Sequence, residues 1–209
     1  MGKGRAYPLV AAAAKLAAMD ESVLAAIARW PRVPAVYGWL SLTARGEWRL
    51  RGEPIAHAAM REFIGRNYAC DDRGRWFFQN GPQRVYVELE LAPWSYRLHG
   101  DRRVLTHTGR RPRRLQAAAL LDGGSLLLQT ELGPGSLDDR DLPLLLPALV
   151  DGEATPLREG QLRHWLGGDG DAWLDAGRLG LAGGLVPVRR LHAGEAAARF
   201  GFQRQPAED

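Results

Sequence analysis

The chain predicts an α+β fold of antiparallel sheets with packed helices, and three observations carry that expectation. In Arg84–Leu91, Val85, Val87, Leu89 and Leu91 alternate with Arg84, Tyr86, Glu88 and Glu90, the period of a half-buried strand. In Ile55–Tyr68, Ile55, Ala59 and Phe63 recur every four residues with Met60 and Ile64 beside them. His57, Arg61, Glu62 and Arg66 fall elsewhere, as an amphipathic helix requires. The connections between strand-like runs are too short for crossovers, so the sheets are expected to be antiparallel.

The elements follow in order. Residues 8–19 are alanine-rich and read as a helix; the basic Met1–Arg5 before them resembles a signal peptide only faintly, because Lys15 interrupts the apolar run. Asp20 is placed as the N-cap of a second helix that Pro31 and Pro34 end. Tyr37–Thr43 and Trp48–Arg51 pair as strands around Ala44-Arg45-Gly46, and Pro54 suits the first turn of the helix that follows. Asp71-Asp72-Arg73-Gly74 turns the chain into the Arg75–Gln79 and Arg84–Leu91 hairpin. Pro82 has no N–H to close an Asn80-Gly81 turn, so a longer loop is expected there. Together these segments make a tryptophan-rich β-α-β unit over residues 36–91.

Trp94–His99, Val104–His107, Arg114–Leu121 and Leu126–Leu132 continue as strands, with Asp122-Gly123-Gly124-Ser125 as a hairpin turn. Gly133–Ser136 reads as a linker. Beyond it come a short helix to about Val150, a helix over 157–166, glycine-interrupted strands over 173–191 and a terminal helix over 194–200. The expected organisation is N-terminal helices over 1–35 packing on the sheet, a main domain over 36–135 and a smaller α+β part over 136–209. Arg45-Gly46-Glu47-Trp48 and Arg73-Gly74-Arg75-Trp76 echo each other, which shared hairpin geometry explains more simply than duplication.

Composition narrows the function classes. The 209 residues are 45% hydrophobic and 25% charged, an ordinary globular balance, and seven tryptophans supply large anchors. Cys70 is the only cysteine, so no internal disulfide and no four-cysteine zinc site can form. No segment reaches the ~18 apolar residues of a membrane span, so no membrane association is expected. The formal charge is +4, and nearly all of the basic charge is arginine.

Gly38-Trp39-Leu40-Ser41-Leu42, Gly52-Glu53-Pro54-Ile55 and the run Gly74-Arg75-Trp76-Phe77-Phe78-Gln79-Asn80-Gly81-Pro82-Gln83-Arg84-Val85 resemble a family of bacterial proteins of unknown function. The resemblance covers about a quarter of the chain. It transfers no activity and implies a bacterial, cytoplasmic protein.

No motif assigns a reaction. Cys70 is placed at a helix C-terminus beside Asp71 and Asp72, where both the dipole and the carboxylates disfavour a thiolate, and His57 lies at the far end of that helix. The five histidines show no HxH, HxxxH or HExxH spacing. His99 and His107 could face each other across a hairpin, with Asp101 as a third ligand, but surface histidines are the simpler reading. Asp71-Asp72 and Asp138-Asp139-Asp141 read as caps, and Asp169, Asp171 and Asp175 lack the acid that a calcium loop needs. No phosphate loop or nucleophile elbow appears, and neither a metal nor a cofactor is expected.

The charge map is the remaining signal. Residues 94–114 hold Arg97, Arg102, Arg103, Arg110, Arg111, Arg113 and Arg114 against Asp101, a net of +6, with Trp94, Tyr96, His99 and His107 interleaved. Residues 132–175 hold nine acids and three arginines, a net of −6. The two regions can neutralise each other internally or across a homodimer. Otherwise the basic segment is a binding surface for an anionic ligand or protein or, less favoured, nucleic acid. The leading expectation is a non-catalytic binding or regulatory protein with its site at Arg97, Arg102, Arg103, Arg110, Arg111, Arg113, Arg114, Trp94 and Tyr96. The alternatives are an enzyme with a dispersed polar site at Gln79, Asn80, Gln83, Arg84 and Tyr86, or a structural subunit of a larger assembly.

Overall fold

A computed structural model describes residues 19–30, 33–99 and 103–208. The alanine-rich segment expected as a first helix therefore lies outside the described residues, except for its last member, the buried Met19. The chain forms a mixed α+β fold with a six-stranded and an eight-stranded sheet, both mostly antiparallel. It divides into two units, residues 1–93 with 197–209, and residues 94–196. The division follows Pro93, not residue 135.

The first unit contains α1 (Glu21–Arg29), β1 (Val36–Leu42), β2 (Trp48–Leu50), β3 (Glu53–Pro54), α2 (Ala58–Arg66), β4 (Tyr68–Cys70), β5 (Trp76–Asn80) and β6 (Gln83–Leu89). Its sheet runs β3-β2-β1-β6-β5-β4. Val87, Leu89, Leu40, Leu42 and Trp48 are buried, as the alternation in β6 requires. On the opposite face of the sheet, Val23 of α1 and Met19 just before it pack against Ala69, Phe77 and Tyr86.

Asp20 occupies the N-cap position of α1 but its side chain caps nothing. Its carboxylate instead accepts from Arg66 Nε at 3.1 Å and from Asn67 Nδ2 at 3.1 Å. The Asp20 amide donates to Asn67 Oδ1. Asn67 is fully buried, so these bonds tie the start of α1 to the end of α2.

Three expectations change in this unit. Pro54, expected in the first turn of the helix, pairs with Arg49 in β3, and α2 begins only at Ala58. Helix α2 ends at Arg66, so Cys70 sits buried on β4 and not at a helix terminus. Asn80 pairs directly with Gln83, which makes Gly81-Pro82 a two-residue turn. The turn is displaced by one residue from the Asn80-Gly81 position, so its closing donor is Gln83 and the missing N–H of Pro82 is not needed. Gly81 supplies φ +56°, as a first central residue with positive φ requires.

The second unit contains β7 (Trp94–Leu98), β8 (Val104–Thr106), β9 (Leu115–Leu121), β10 (Leu126–Thr130) and β11 (Gly133–Leu137). Three short turns of helix follow: Asp139–Asp141 (3₁₀), α3 (Leu142–Leu145) and Leu146–Ala148 (3₁₀). Then come β12 (Leu149–Val150), α4 (Glu159–Leu166), β13 (Trp173–Asp175), a 3₁₀ turn at Ala176–Leu179, β14 (Leu185–Leu191) and the start of α5 (Ala193–Phe200). The sheet order is β12-β13-β14-β9-β10-β11-β7-β8. Gly133–Ser136, expected as a linker, thus lies in a fully buried interior strand, Gly133–Leu137. Gly135 is a packing requirement: a Cβ there would lie 2.5 Å from a ring carbon of Tyr96 and 2.7 Å from Trp94 Cβ.

Neither sheet is purely antiparallel. β1 runs parallel to β6, β7 to β11 and β9 to β14. The short connections do exclude parallel neighbours in sequence. These partners are separated by whole hairpins, which a rule based on consecutive strands does not cover.

The two units share one strand plan: a hairpin, then a three-stranded meander whose last strand lies parallel to the first of the hairpin. In sheet order this is β2-β1-β6-β5-β4 in one and β8-β7-β11-β10-β9 in the other. Pairings recur in register. Tyr68 opposite Phe78 corresponds to Ala118 opposite Leu128, and Leu42 opposite Trp48 to Leu98 opposite Val104. The turns match as well: Asp71 N donates to Arg75 O as Leu121 N does to Ser125 O. Gly74 and Gly124 take φ +78° and +81° at the same turn position. The Arg-Gly-x-Trp echo is not this correspondence, since it pairs a β1–β2 turn with a β4–β5 turn.

Gly124→Ala and Gly135→Ala separate backbone strain from packing. Gly124 meets nothing within 4 Å, so the alanine there should cost about 1 kcal/mol of left-handed strain. At Gly135 overpacking against Tyr96 and Trp94 should cost more, about 1–3 kcal/mol. Urea midpoints at an unchanged slope measure both, and equal losses would contradict the packing role.

Candidate anion-binding surface

The basic segment lies in the second unit, on β7, β8 and the stretch from Thr106 to β9. Strand β7 is covered on both faces, and this removes the aromatic platform expected at Trp94 and Tyr96. Trp94 is buried and donates its indole N–H to Leu132 O at 2.9 Å. Tyr96 has no exposed surface; its hydroxyl donates to Gly133 O at 2.9 Å and meets Thr130 Oγ1 at 2.7 Å. Burial raises the phenol pKa. Neither ring offers a face for stacking.

Two arginines are taken up by the unit itself. Arg97 donates from Nε and Nη2 to the carboxylate of Asp141 at 2.7 and 3.3 Å. Asp141 also accepts the Leu98 amide at 2.8 Å. Asp138 lies 3.7 Å from Arg97 Nε and receives Arg140 in a two-point grip at 2.8 and 2.6 Å. Those Arg140 bonds hold the Asp138 carboxyl down to about 2. Asp138 also caps the first 3₁₀ turn through the Arg140 amide, the capping role expected of it. The basic and acidic segments therefore meet here, through Arg97. Arg110 is half-buried with its guanidinium 5.5 Å from the Trp94 ring centre, and desolvation lowers its pKa.

Arg111, Arg113 and Arg114 are exposed. Glu131 holds their backbone: its two carboxylate oxygens accept the amides of Arg113 at 2.6 Å and Arg114 at 3.0 Å. Ala182 adds backbone bonds, donating to Arg113 O and accepting from Leu115 N, both at 2.8 Å. Arg103 is exposed and its carbonyl closes the β7–β8 turn by accepting from His99 N. Arg102 and Asp101 lie outside the described residues.

The histidine pair does not face across the hairpin. His99 pairs with Arg103 at the turn, while His107 sits beside Ser95 at the opposite end. Among the described residues no three His, Cys, Asp or Glu side chains gather as metal ligands. His107 Nδ1 accepts the Ser95 amide at 3.3 Å, and burial with the nearby charge of Arg110 pushes the imidazole down to about 3.

In the alternative site in the first unit, four of the five side chains have partners within that unit. Gln79 is buried and donates to Gly81 O, and Gln83 donates to Pro34 O. Arg84 stacks over Phe77 at 4.7 Å. Tyr86 donates to Asp71 Oδ2 at 3.0 Å, which Arg75 shares at 2.8 Å, and Tyr37 stacks on its ring at 4.7 Å. Asn80 is exposed at the turn. Each of these contacts supports the local structure.

Sequence reasoning did not single out Glu131. A lone acid between two apolar strands carries no spacing signal, and only the fold shows its carboxylate opposite successive arginine amides.

The chain belongs to the family described as "Protein of unknown function (DUF2946)", which it matches over residues 19–207. It is similar to a DUF1285 family protein from Silicibacter pomeroyi DSS-3, at 15% identity and TM-score 0.49, over 77% of this chain and 86% of that one. It is also similar to a DUF1285 family protein from Shewanella baltica OS155, at 21% identity and TM-score 0.41, over 51% of this chain and 89% of that one. No curated protein matches it. No helix among the described residues is long and apolar enough to cross a membrane.

A neutral, half-buried His107 makes stability depend on pH in a defined direction. The unfolded chain takes up a proton near its ordinary value of 6.5, while the folded chain resists until about 3. Stability should therefore fall as pH drops below about 6.5, by up to about 1.4 kcal/mol per unit. Urea unfolding of wild type and His107→Gln between about pH 7 and about pH 5 checks this. The variant should lack that slope, and identical slopes would contradict the assignment.

Proposed function

We propose that this member of the family is a non-catalytic binding protein that holds an acidic segment of a protein partner on Arg111, Arg113 and Arg114. One observation carries the reading: the Glu131 carboxylate grips the amides of Arg113 and Arg114 while the side chains stay exposed. A guanidinium presents paired N–H donors that match a carboxylate in a two-point geometry. A backbone held in place loses less conformational freedom when those side chains engage.

The burial of Trp94 and Tyr96 favours a protein partner over single-stranded nucleic acid. Sequence-tolerant binding of single strands draws much of its strength from base–aromatic stacking, about 1–3 kcal/mol per base. The bonds that Arg97 and Arg110 make within the unit confine the surface to its outer arginines. A cytoplasmic setting belongs to the same reading, supported by the lone, buried Cys70.

A labelled poly-glutamate peptide, followed by fluorescence anisotropy, tests the proposal. The wild-type chain should bind it at low salt and lose affinity as salt rises. Arg111→Glu combined with Arg113→Glu and Arg114→Glu should weaken binding at least about tenfold with an unchanged unfolding midpoint. Equal binding by the triple variant would overturn the proposal. Tighter, arginine-dependent binding of a single-stranded oligonucleotide of equal charge would overturn the choice of partner.

A further inference from the structure

A cavity of about 230 Å³ opens in the second unit, between the end of β7, the Leu142–Ala148 segment and the Ala176–Leu179 turn. Leu98, Ala148 and Leu179 form buried walls. Pro143 and Pro147 line its sides, and Leu144 stands at the rim with half its surface exposed. Two nitrogen-bearing side chains interrupt this apolar lining, Arg178 and the exposed His99.

Arg178 is held in place yet not saturated. Its Nε donates to Asp175 Oδ2 at 3.0 Å, and Nη1 and Nη2 reach Pro147 O and Ala154 O at 3.4 Å each, long for such bonds. A guanidinium carries five N–H donors, so two remain after these three contacts. Asp175 is meanwhile shared, because its other oxygen accepts the amides of Gly177 and Arg178. The prolines and the 3₁₀ turns give the cavity walls little freedom to collapse.

We infer that this cavity binds a small amphiphilic carboxylate, with its acyl or aryl body against Leu98, Ala148 and Leu179 and its carboxylate toward Arg178 and His99. Pockets for drug-sized molecules begin near roughly 300 Å³, so the ligand is smaller than that class. An apolar body suits the leucine and proline walls. Arg178, braced by Asp175 and with N–H donors left over, favours a carboxylate over an alcohol or an amine. The inference is independent of the acidic partner proposed above, because the two share no residue.

Titration calorimetry with octanoate, octan-1-ol and octylamine on the full chain tests it. Octanoate should bind saturably, at least about tenfold more tightly than the alcohol, and the amine should not bind. Arg178→Gln should bring octanoate down to the level of the alcohol without changing the alcohol itself. Ala148→Leu should fill the floor and abolish both. Leu144→Glu, at an exposed position that folding does not require, should weaken octanoate alone. Absence of octanoate binding, equal affinity for octanoate and octan-1-ol, or octanoate binding unchanged in Arg178→Gln and Leu144→Glu would each overturn the inference. Poly-glutamate binding, measured beside these titrations, should be the same in all three variants.

Discussion

Each unit depends on the parallel pairing of its first strand with the last strand of the meander. β1 lies beside β6 with Leu40 opposite Val87 and Leu42 opposite Leu89, and β7 lies beside β11 with Tyr96 opposite Leu137. Without that parallel contact the hairpin and the meander would be two small antiparallel pieces, and an isolated two-stranded hairpin is at best marginally stable in water. The pairing closes a long loop before it gains any contacts, so the cost in chain entropy is met only when both sheet faces are buried at once. The first unit buries one face under α1, where Val23 meets Phe77 and Tyr86. In the second unit β10 and β11 are buried at every position, and their Leu126, Leu127 and Leu128 have almost no exposed surface.

The shared plan shows how differently two sequences can meet that constraint. At corresponding points of the parallel pair the first unit has Val85 and the second has Gly135. Val85 lies opposite Val36, while Gly135 lies opposite Trp94 and under the Tyr96 ring. Large aromatic side chains on β7 are accommodated by removing a side chain from β11. The meander turns keep their glycines, Gly74 and Gly124, because both need a positive φ whatever surrounds them. What persists between the units is backbone conformation, and what diverges is side-chain volume.

This explains which parts of the fold were legible in the sequence. The hairpins could be read because alternation reports burial on one face. Helix α2 was legible as an element, but its expected stripe was not its buried face: Ile55 precedes the helix, Ala59 and Met60 are exposed, and Ile64 is the buried side chain. The strand at Gly133–Leu137 could not be read. A strand buried on both faces and made partly of glycine and proline has neither alternation nor strand-forming residues, and resembles a linker. The parallel pairs were invisible for a related reason: periodicity tells which face of a strand is buried and says nothing about its neighbour. The shared plan escaped detection because register, not residue identity, carries it. Charge was legible as a total, but its distribution was not. Arg97 and Arg111 look alike in the sequence, while the fold gives one a carboxylate partner and leaves the other exposed.

The same contrast shows where electrostatics contributes to structure and where charge is left exposed. Asp141 takes both Arg97 and the Leu98 amide, and Asp138 takes Arg140 while capping the turn that follows β11. Both carboxylates are buried and hydrogen-bonded on several sides, as buried ionised groups must be. Those acids join the end of β7 to the segment leaving β11, so the charges reinforce the parallel pair on which the unit depends. Glu131, at the β10–β11 turn, works differently, because it satisfies arginine amides and leaves the guanidinium groups in water. A carboxylate that bound those side chains would have neutralised the surface. By binding the backbone instead, Glu131 fixes the chain at Arg113 and Arg114 while their side chains stay exposed.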